Sequence, residues 1–136
     1  MFRFLRRKKI LASEAASAGE KAGQLFDAGY NCTQSVLQAT CPQAGNDLVT
    51  MAEAFGGGIG NSKCLCGAVT GGVMALGLQG KGGHSGALVT AFRADNRTTC
   101  CKALSAPYIW LSKEHQANCR RLTVATAEEV ARLLQK

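Results

Sequence analysis

Apolar and small residues recur at intervals of three and four along nearly the whole chain, and this spacing limits what it can fold into. The first such series is Leu11, Ala15, Ala18, Ala22 and Leu25. Residues three and four apart share one face of an α-helix, so the series predicts an amphipathic helix that runs to about Asp27. Because no segment alternates apolar and polar residues as a half-buried strand does, we expect an all-α fold, a compact bundle of five or six short helices.

Capping residues predict where the next two helices begin. Gly29 ends the first helix, and Asn31 is a candidate N-cap for a second helix over Cys32–Thr40. A turn is expected at 42–45, after which Asn46 is a candidate N-cap for a third helix. The residues expected on the inner face of this third helix are Leu48, Met51, Ala52 and Phe55.

Glycines at 56, 57, 58 and 60 predict a loop, and three further helices are expected after it. The loop is interpreted as a helix connector, because it lacks a preceding strand and does not complete a phosphate-binding pattern. A fourth helix is expected over 65–78 and a fifth over 85–104. Asn118 is a candidate N-cap for the last helix, although Thr126 and Glu129 match a capping box and would give a later start. The expected inner face of the last helix is Cys119, Leu122, Thr126, Val130 and Leu133.

The fourth predicted helix carries small residues at a spacing of four, namely Gly67, Gly71 and Ala75. Glycine inside a helix costs about 1 kcal/mol relative to alanine, so close packing is expected to compensate. A row of small residues lets another backbone approach closely. The approaching helix could belong to the same chain or to a second copy, and the second case would give a homodimer.

The positive charge of the chain is concentrated in residues 1–10. They hold five of the sixteen Lys and Arg, whereas residues 11–136 hold eleven together with all nine acids, a net charge of only +2. We therefore expect a basic head over 1–10, in weak contact at most with an anionic membrane surface, and one helical domain over 11–136. No nucleic-acid-binding face is expected. Neither a secretory signal nor a transmembrane segment is recognised, which predicts a cytoplasmic protein.

The seven cysteines are the second departure from average composition. An odd number without an export signal argues against a disulfide framework and favours metal-binding or redox-active thiols. For Cys41, Cys64 and Cys100 taken singly, burial as small apolar side chains is an equally good interpretation.

Three other cysteines, Cys32, Cys66 and Cys119, each fall in the first turn of a predicted helix. There the unpaired amide groups and the helix dipole are expected to lower the pKa of a thiol from about 8.5. The thiolate is the form that attacks disulfides and ligates metals, so these positions favour chemistry over packing.

Several short motifs in fixed order give the chain a resemblance to a known family. They are GYNC at 29–32, FGGGIG at 55–60, CGAVTG at 66–71, MALGL at 74–78, CKAL at 101–104 and Cys119. With these motifs the chain resembles the C_GCAxxG_C_C family of small redox-active proteins, from about residue 19 to residue 134.

The resemblance implies that four of the cysteines are functional, namely Cys32, Cys66, Cys101 and Cys119. Cys101 is assigned in preference to Cys100 because Lys102 and Leu104 match the basic residue and the leucine that follow the family's third cysteine. The remaining three cysteines lie outside the family pattern.

The four cysteines fall on separate predicted segments without a Cys-x-x-Cys pair, unlike a thioredoxin-type site or a zinc ribbon. They match the number of thiolates that an iron–sulfur cluster needs, and small residues around Cys66 would leave room for one. The sequence thus favours an iron–sulfur cluster, of the 2Fe–2S type, used in electron transfer with a redox partner protein or in redox sensing.

Two alternatives to the cluster stay open. The first is a metal-free thiol/disulfide protein that pairs Cys32 with Cys66 or Cys101 with Cys119. The second is a structural metal site such as zinc, or a helical interaction module, without redox chemistry.

The two histidines are candidate ligands or acid–base groups. Neither lies at ligand spacing from a pair of cysteines, so His84 and His115 are interpreted as surface or loop-end residues. His115 is the better candidate because it precedes Cys119 by four residues. Tyr30, close to Cys32, is interpreted either as a hydrogen-bond donor to a sulfur or as a packing ring.

Overall fold

The computed structural model describes residues 16–136, and this part of the chain is all-α, as predicted. Its helices are α1 (Ala18–Asp27), α2 (Cys32–Thr40), α3 (Asn46–Ala52), α4 (Gly67–Leu78), α5 (Ser85–Asn96), the single turn α6 (Cys101–Leu104) and α7 (Lys113–Leu134). Short 3-10 turns lie at Glu53–Phe55, Ile59–Asn61 and Gly82–His84. The expected basic head and the expected helix start at residue 11 lie outside the described residues.

Helix α2 lies at the centre of the bundle, where it packs against α1, α4 and α7. Seven of its nine residues are buried, and Val36 and Leu37 are completely so. Its predicted N-cap is confirmed: the Asn31 side chain accepts a hydrogen bond from the Gln34 N–H at 2.9 Å, and the Gln34 side chain accepts one from the Asn31 N–H at 3.2 Å. This reciprocal capping box fixes the start of the helix that carries Cys32.

The row of small residues on α4 faces α2 of the same chain. A Cβ atom placed on Gly71 would lie 2.4 Å from the Thr33 carbonyl oxygen, and Ala75 is completely buried. The close packing that the sequence predicted therefore takes place within one chain. Since α2 fills the groove, this row offers no surface to a second copy, and the homodimer stays a prediction without that support.

The predicted fifth helix over 85–104 begins at Ser85 as expected, but its predicted end is wrong, because α5 ends at Asn96. Arg97 adopts φ +70°, a left-handed C-cap, and a short non-helical stretch leads from it to α6. In this stretch the Thr99 carbonyl accepts a hydrogen bond from the Cys66 N–H at 2.6 Å. The stretch is thereby fixed beside the start of α4, and a continuous helix could not make this contact.

The last helix begins earlier than predicted. Its N-cap is Ser112, whose hydroxyl accepts from the His115 N–H at 3.2 Å, so Asn118 is an interior residue and not a cap. The capping box at Thr126 is also wrong, because the Thr126 hydroxyl donates to the Leu122 carbonyl at 2.6 Å within an unbroken helix. The 22 residues of α7 therefore form one continuous wall of the bundle.

The starts of two helices, α3 and α4, differ by one or two residues from expectation. Asn46 is the first residue of α3, and Gly45 is its N-cap, without a side-chain hydrogen bond. On α3, Ala52 is buried as expected, but Met51 is 51% exposed and Val49 is buried instead. Helix α4 begins at Gly67, with Cys66 as its N-cap.

Within residues 16–136, no helix is both long enough and apolar enough to cross a membrane.

A four-cysteine candidate site

The four cysteines implied by the resemblance lie on four different helical elements and line one cavity of about 530 Å³. Cys32 is the first residue of α2, Cys66 is the N-cap of α4, Cys101 is the first residue of α6, and Cys119 lies in the second turn of α7. Residues up to 87 positions apart along the chain are therefore brought to one place by the packing of α2, α4 and α7. All four thiols are free.

Cys66 and Cys101 form the most strongly interacting pair of thiols. A hydrogen bond between the two side chains lowers the pKa of Cys101 to about 7, helped by the Gly67 N–H, and it raises the pKa of Cys66 well above its usual value. The thiol with the higher pKa keeps its proton and donates it to the other sulfur. Cys101 is thus the thiol of the pair that loses its proton first, close to neutral pH, and Cys66 is its hydrogen-bond donor.

The other two thiols are held in their neutral form by burial. Burial raises the pKa of Cys32, and so does the neighbouring Cys101, while the Gly57 N–H and the Thr33 hydroxyl act in the opposite direction. Burial, then Cys32 and Cys101, raise the pKa of Cys119 to about 12. Each of the four sulfurs therefore interacts electrostatically with at least two of the others.

The expectation that helix N-termini lower the pKa of Cys32, Cys66 and Cys119 is wrong. For Cys32 the cost of burial exceeds the favourable backbone hydrogen bond, and for Cys66 the hydrogen bond to Cys101 raises the pKa most. Cys119 is not in the first turn of its helix, because α7 begins six residues before it. The thiol with a lowered pKa is Cys101, which the helix argument did not include.

Three backbone N–H groups at the glycine loop and at the start of α4 point to the sulfurs. They belong to Gly57, Gly67 and Ala68, and they favour the charged forms of Cys32, Cys101 and Cys66 respectively. The loop can deliver such a donor because Gly57 adopts φ +74°, a conformation that favours glycine.

Gly67 is required for a second reason, which is space. A Cβ atom on this residue would lie 2.4 Å from the Cys32 sulfur and 2.4 Å from the Thr33 hydroxyl oxygen. The glycine therefore allows α2 and α4 to bring Cys32 and Cys66 to the same cavity.

His115 and Trp110 form the wall of the cavity beside Cys119. The rings are 4.2 Å apart between centroids, and the Lys63 ammonium group lies 4.7 Å from the centroid of the Trp110 ring.

His115 is only 3% exposed, so the prediction of a surface or loop-end histidine is wrong for this residue. Burial, then Lys63, lower its pKa. The sequence signal was its spacing of four from Cys119, which places both on one face of α7. His84, the N-cap of α5, does not line the cavity, whereas the buried Tyr30 does.

The three remaining cysteines have two different roles. Cys64 and Cys100 form a disulfide, so their interpretation as small apolar side chains is wrong and the argument against a disulfide framework did not foresee this bridge. Counting cysteines could not show this, because an odd total is compatible with one bridge and five free thiols. The bridge joins the segment before Cys66 to the segment before Cys101. Cys41 is free and 1% exposed in the hydrophobic core, in accordance with its interpretation as a small apolar residue.

No group of three or more His, Cys, Asp or Glu residues among those described is placed so that it could hold a metal ion. The four thiols line one cavity without forming such a group. A single zinc ion needs four ligands at about 2.0–2.3 Å from one centre, so this arrangement does not favour a mononuclear site.

The fold and the site define a small helical protein with clustered thiols, which is the arrangement expected of redox-active proteins. Over residues 30–133 the chain matches the family model described as "Putative redox-active protein (C_GCAxxG_C_C)", and it belongs to this family. The resemblance identified from the sequence is thus confirmed. Comparison with curated proteins gives no match, and comparison with solved structures gives none.

Proposed function

We propose that Cys32, Cys66, Cys101 and Cys119 hold an iron–sulfur cluster of the 2Fe–2S type, and that the protein uses it to transfer electrons to or from a redox partner protein or to sense redox state. The observation that carries the proposal is the convergence of four free thiols, from four helical elements, on one cavity of about 530 Å³. When bound, a cluster of this kind supplies one-electron chemistry.

The chemistry of the donor set supports this assignment. Four thiolates are the usual ligands of an iron–sulfur cluster, and four free thiols line this one cavity. The Cys101 thiol ionises close to neutral pH, whereas Cys32, Cys66 and Cys119 have raised pKa values and would each have to lose a proton on ligation. Loading is therefore expected to release protons and to be favoured at higher pH.

The backbone around the cavity would set the properties of the site. The N–H groups of Gly57, Gly67 and Ala68 donate to sulfur, and such hydrogen bonds stabilise negative charge and raise a reduction potential. Burial of Cys32 and Cys66 acts in the opposite direction because it penalises charge. The role of the chain is thus to orient the thiols and to balance these two effects.

The test is to purify the protein without oxygen, reconstitute it with iron and sulfide, and measure bound iron and sulfide and the visible absorption spectrum. We expect two irons and two sulfides per chain. Each single Cys→Ser change at the four sites should remove most of the bound iron, whereas Cys41→Ala, which changes a buried cysteine away from the cavity, should not. A colourless protein free of iron under these conditions would rule out the proposal.

A second candidate is metal-free thiol–disulfide exchange, and the hydrogen bond between Cys66 and Cys101 favours it. The Cys101 thiolate attacks a disulfide of the partner, which gives a mixed disulfide and releases one partner thiolate. The Cys66 thiol then loses its proton, and its sulfur attacks the Cys101 sulfur of the mixed disulfide and displaces the partner sulfur as a thiolate. The products are a Cys66–Cys101 disulfide and the second partner thiolate, so two electrons pass to the partner. This pair replaces the two pairs considered from the sequence.

The two candidates are distinguished by counting thiols before and after oxidation by a disulfide reagent. Exchange predicts the loss of two thiols in the wild type, and no intramolecular bridge in Cys66→Ser or Cys101→Ser. The cluster predicts loss of iron without this specific bridge. If both single variants still lose two thiols to an intramolecular bridge on oxidation, the exchange mechanism through this pair is wrong.

A further inference from the structure

His115 is a buried polar residue that neither candidate function uses. It is 3% exposed, it lies on α7 one turn before Cys119, and its Nε2 atom is 3.5 Å from the Cys119 sulfur. From this geometry we infer that His115 is a positioning residue of the site, which donates an Nε2–H hydrogen bond to the Cys119 sulfur and does not itself ligate. The inference rests on the proposed function, in which Cys119 is a working thiol.

The backbone determines which ring nitrogen of His115 carries the proton. The Leu111 N–H donates to Nδ1 at 2.9 Å, so Nδ1 is an acceptor and has no proton of its own. A neutral imidazole has one N–H, which must then be on Nε2. Because Nε2 faces the Cys119 sulfur, the contact is an N–H···S hydrogen bond and the sulfur is the acceptor.

The same bond excludes His115 as a neutral ligand. A neutral histidine ligates through a nitrogen lone pair, and here the lone pair on Nδ1 is engaged by the Leu111 N–H while Nε2 carries the proton. His115 therefore does not replace one of the cysteines, and the site has four sulfurs with a nitrogen donor beside the fourth. This donor is the side-chain counterpart of the backbone N–H groups that serve the other three.

The surrounding chain holds the ring in place at a conformational cost. Leu111 adopts φ +68°, a region that a branched side chain rarely occupies, and it delivers its N–H to Nδ1 in that conformation. Trp110 covers the ring at a centroid distance of 4.2 Å, and the Ser112 hydroxyl accepts from the His115 N–H. Strained backbone persists where surrounding contacts enforce it, and it is concentrated at functional sites.

A hydrogen bond to a ligand sulfur stabilises the more negative, reduced state of a cluster and so raises its potential. We therefore expect His115→Phe, which keeps a ring but lacks the donor, to lower the equilibrium constant for reduction of the loaded protein about tenfold. For a one-electron couple this is a fall of about 59 mV in the midpoint potential. His115→Gln keeps an amide N–H and should recover most of the difference. The control His84→Gln changes a histidine away from the cavity and should leave the potential unchanged.

A midpoint potential for His115→Phe equal to that of the wild type would overturn the inference. If this variant does not fold, the protonation of the His115 ring can be measured directly in the wild type by ¹⁵N NMR of the imidazole. We expect the Nε2–H tautomer in the metal-free, full-length protein, and the Nδ1–H tautomer would overturn the inference. This measurement needs no cluster, so it still decides the role of His115 if reconstitution fails and the proposed function is wrong.

Discussion

The packing of α4 against α2 is tested by replacing Gly71 with alanine. The new Cβ atom would lie 2.4 Å from the Thr33 carbonyl oxygen and 3.1 Å from the Thr33 carbonyl carbon and Cα. These are backbone atoms, so no side-chain rotation relieves the clash and α2 itself must move. Overpacking of this kind costs about 3 kcal/mol at the upper end of its range, against a gain of about 1 kcal/mol in helix propensity. We expect a net loss of about 2 kcal/mol in the free energy of unfolding.

Gly77 provides a matched control on the same helix. A Cβ atom there meets no atom within 4 Å, and the residue is exposed, so Gly77→Ala should gain about 0.5–1 kcal/mol. Urea denaturation of both variants, followed by far-UV circular dichroism with the metal-free protein, measures the difference. At about 4 °C per kcal/mol, Gly71→Ala should also melt about 8 °C below the wild type. If Gly71→Ala is as stable as the wild type or more stable, our account of the contact between α2 and α4 is wrong.

Three further predictions concern the site and its surroundings. Gly67→Ala would bring a Cβ atom to 2.4 Å from the Cys32 sulfur, which can rotate away from it. Bound iron per chain should therefore fall severalfold, while the free energy of unfolding changes by only about 1 kcal/mol. An unchanged iron content would contradict this prediction. Replacing both Cys64 and Cys100 with alanine removes a disulfide of sequence separation 36, so urea denaturation should show a loss of about 3–4 kcal/mol in the free energy of unfolding. A reductant should destabilise the wild type by the same amount and leave the variant unchanged. Because the thiolate is the reactive form, the rate of alkylation of Cys101 in metal-free protein should rise with pH and have a midpoint near 7. Cys66→Ala removes the hydrogen bond and should move that midpoint towards 9. The same midpoint in both proteins would refute the role of the Cys66 hydrogen bond.

The sequence predicts those parts of the fold in which local signals agree with tertiary packing. Helix α2 matches its predicted bounds because Asn31 caps it and Gln34 completes the box. The segment after Asn96 does not match, because Arg97 stops the helix and a contact between Thr99 and Cys66 holds the next residues in a non-helical path. That contact joins residues 33 positions apart, so helical periodicity could not reveal it.

For the site, the residue set could be chosen from the family motifs but its electrostatics could not. Whether a thiol is charged depends on burial and on neighbouring sulfurs, which is why Cys101 has a lowered pKa while Cys119 has a raised one. The burial of His115 depends on Trp110 and on the early start of α7, which Ser112 caps. The disulfide partners, 36 residues apart, are likewise brought together by the fold and not by their spacing.

The Cys64–Cys100 bridge has a consequence for a chain that has been cut. The connection between α4 and α5 contains Lys81 within a glycine-rich stretch, and a protease that cleaves after this lysine would produce two pieces. Each piece would carry two of the four candidate thiols, and the bridge would keep the pieces covalently attached. Even when unfolded, a nicked molecule would therefore retain all four thiols until a reductant released the halves, and its migration on a denaturing gel would depend on whether that reductant was added.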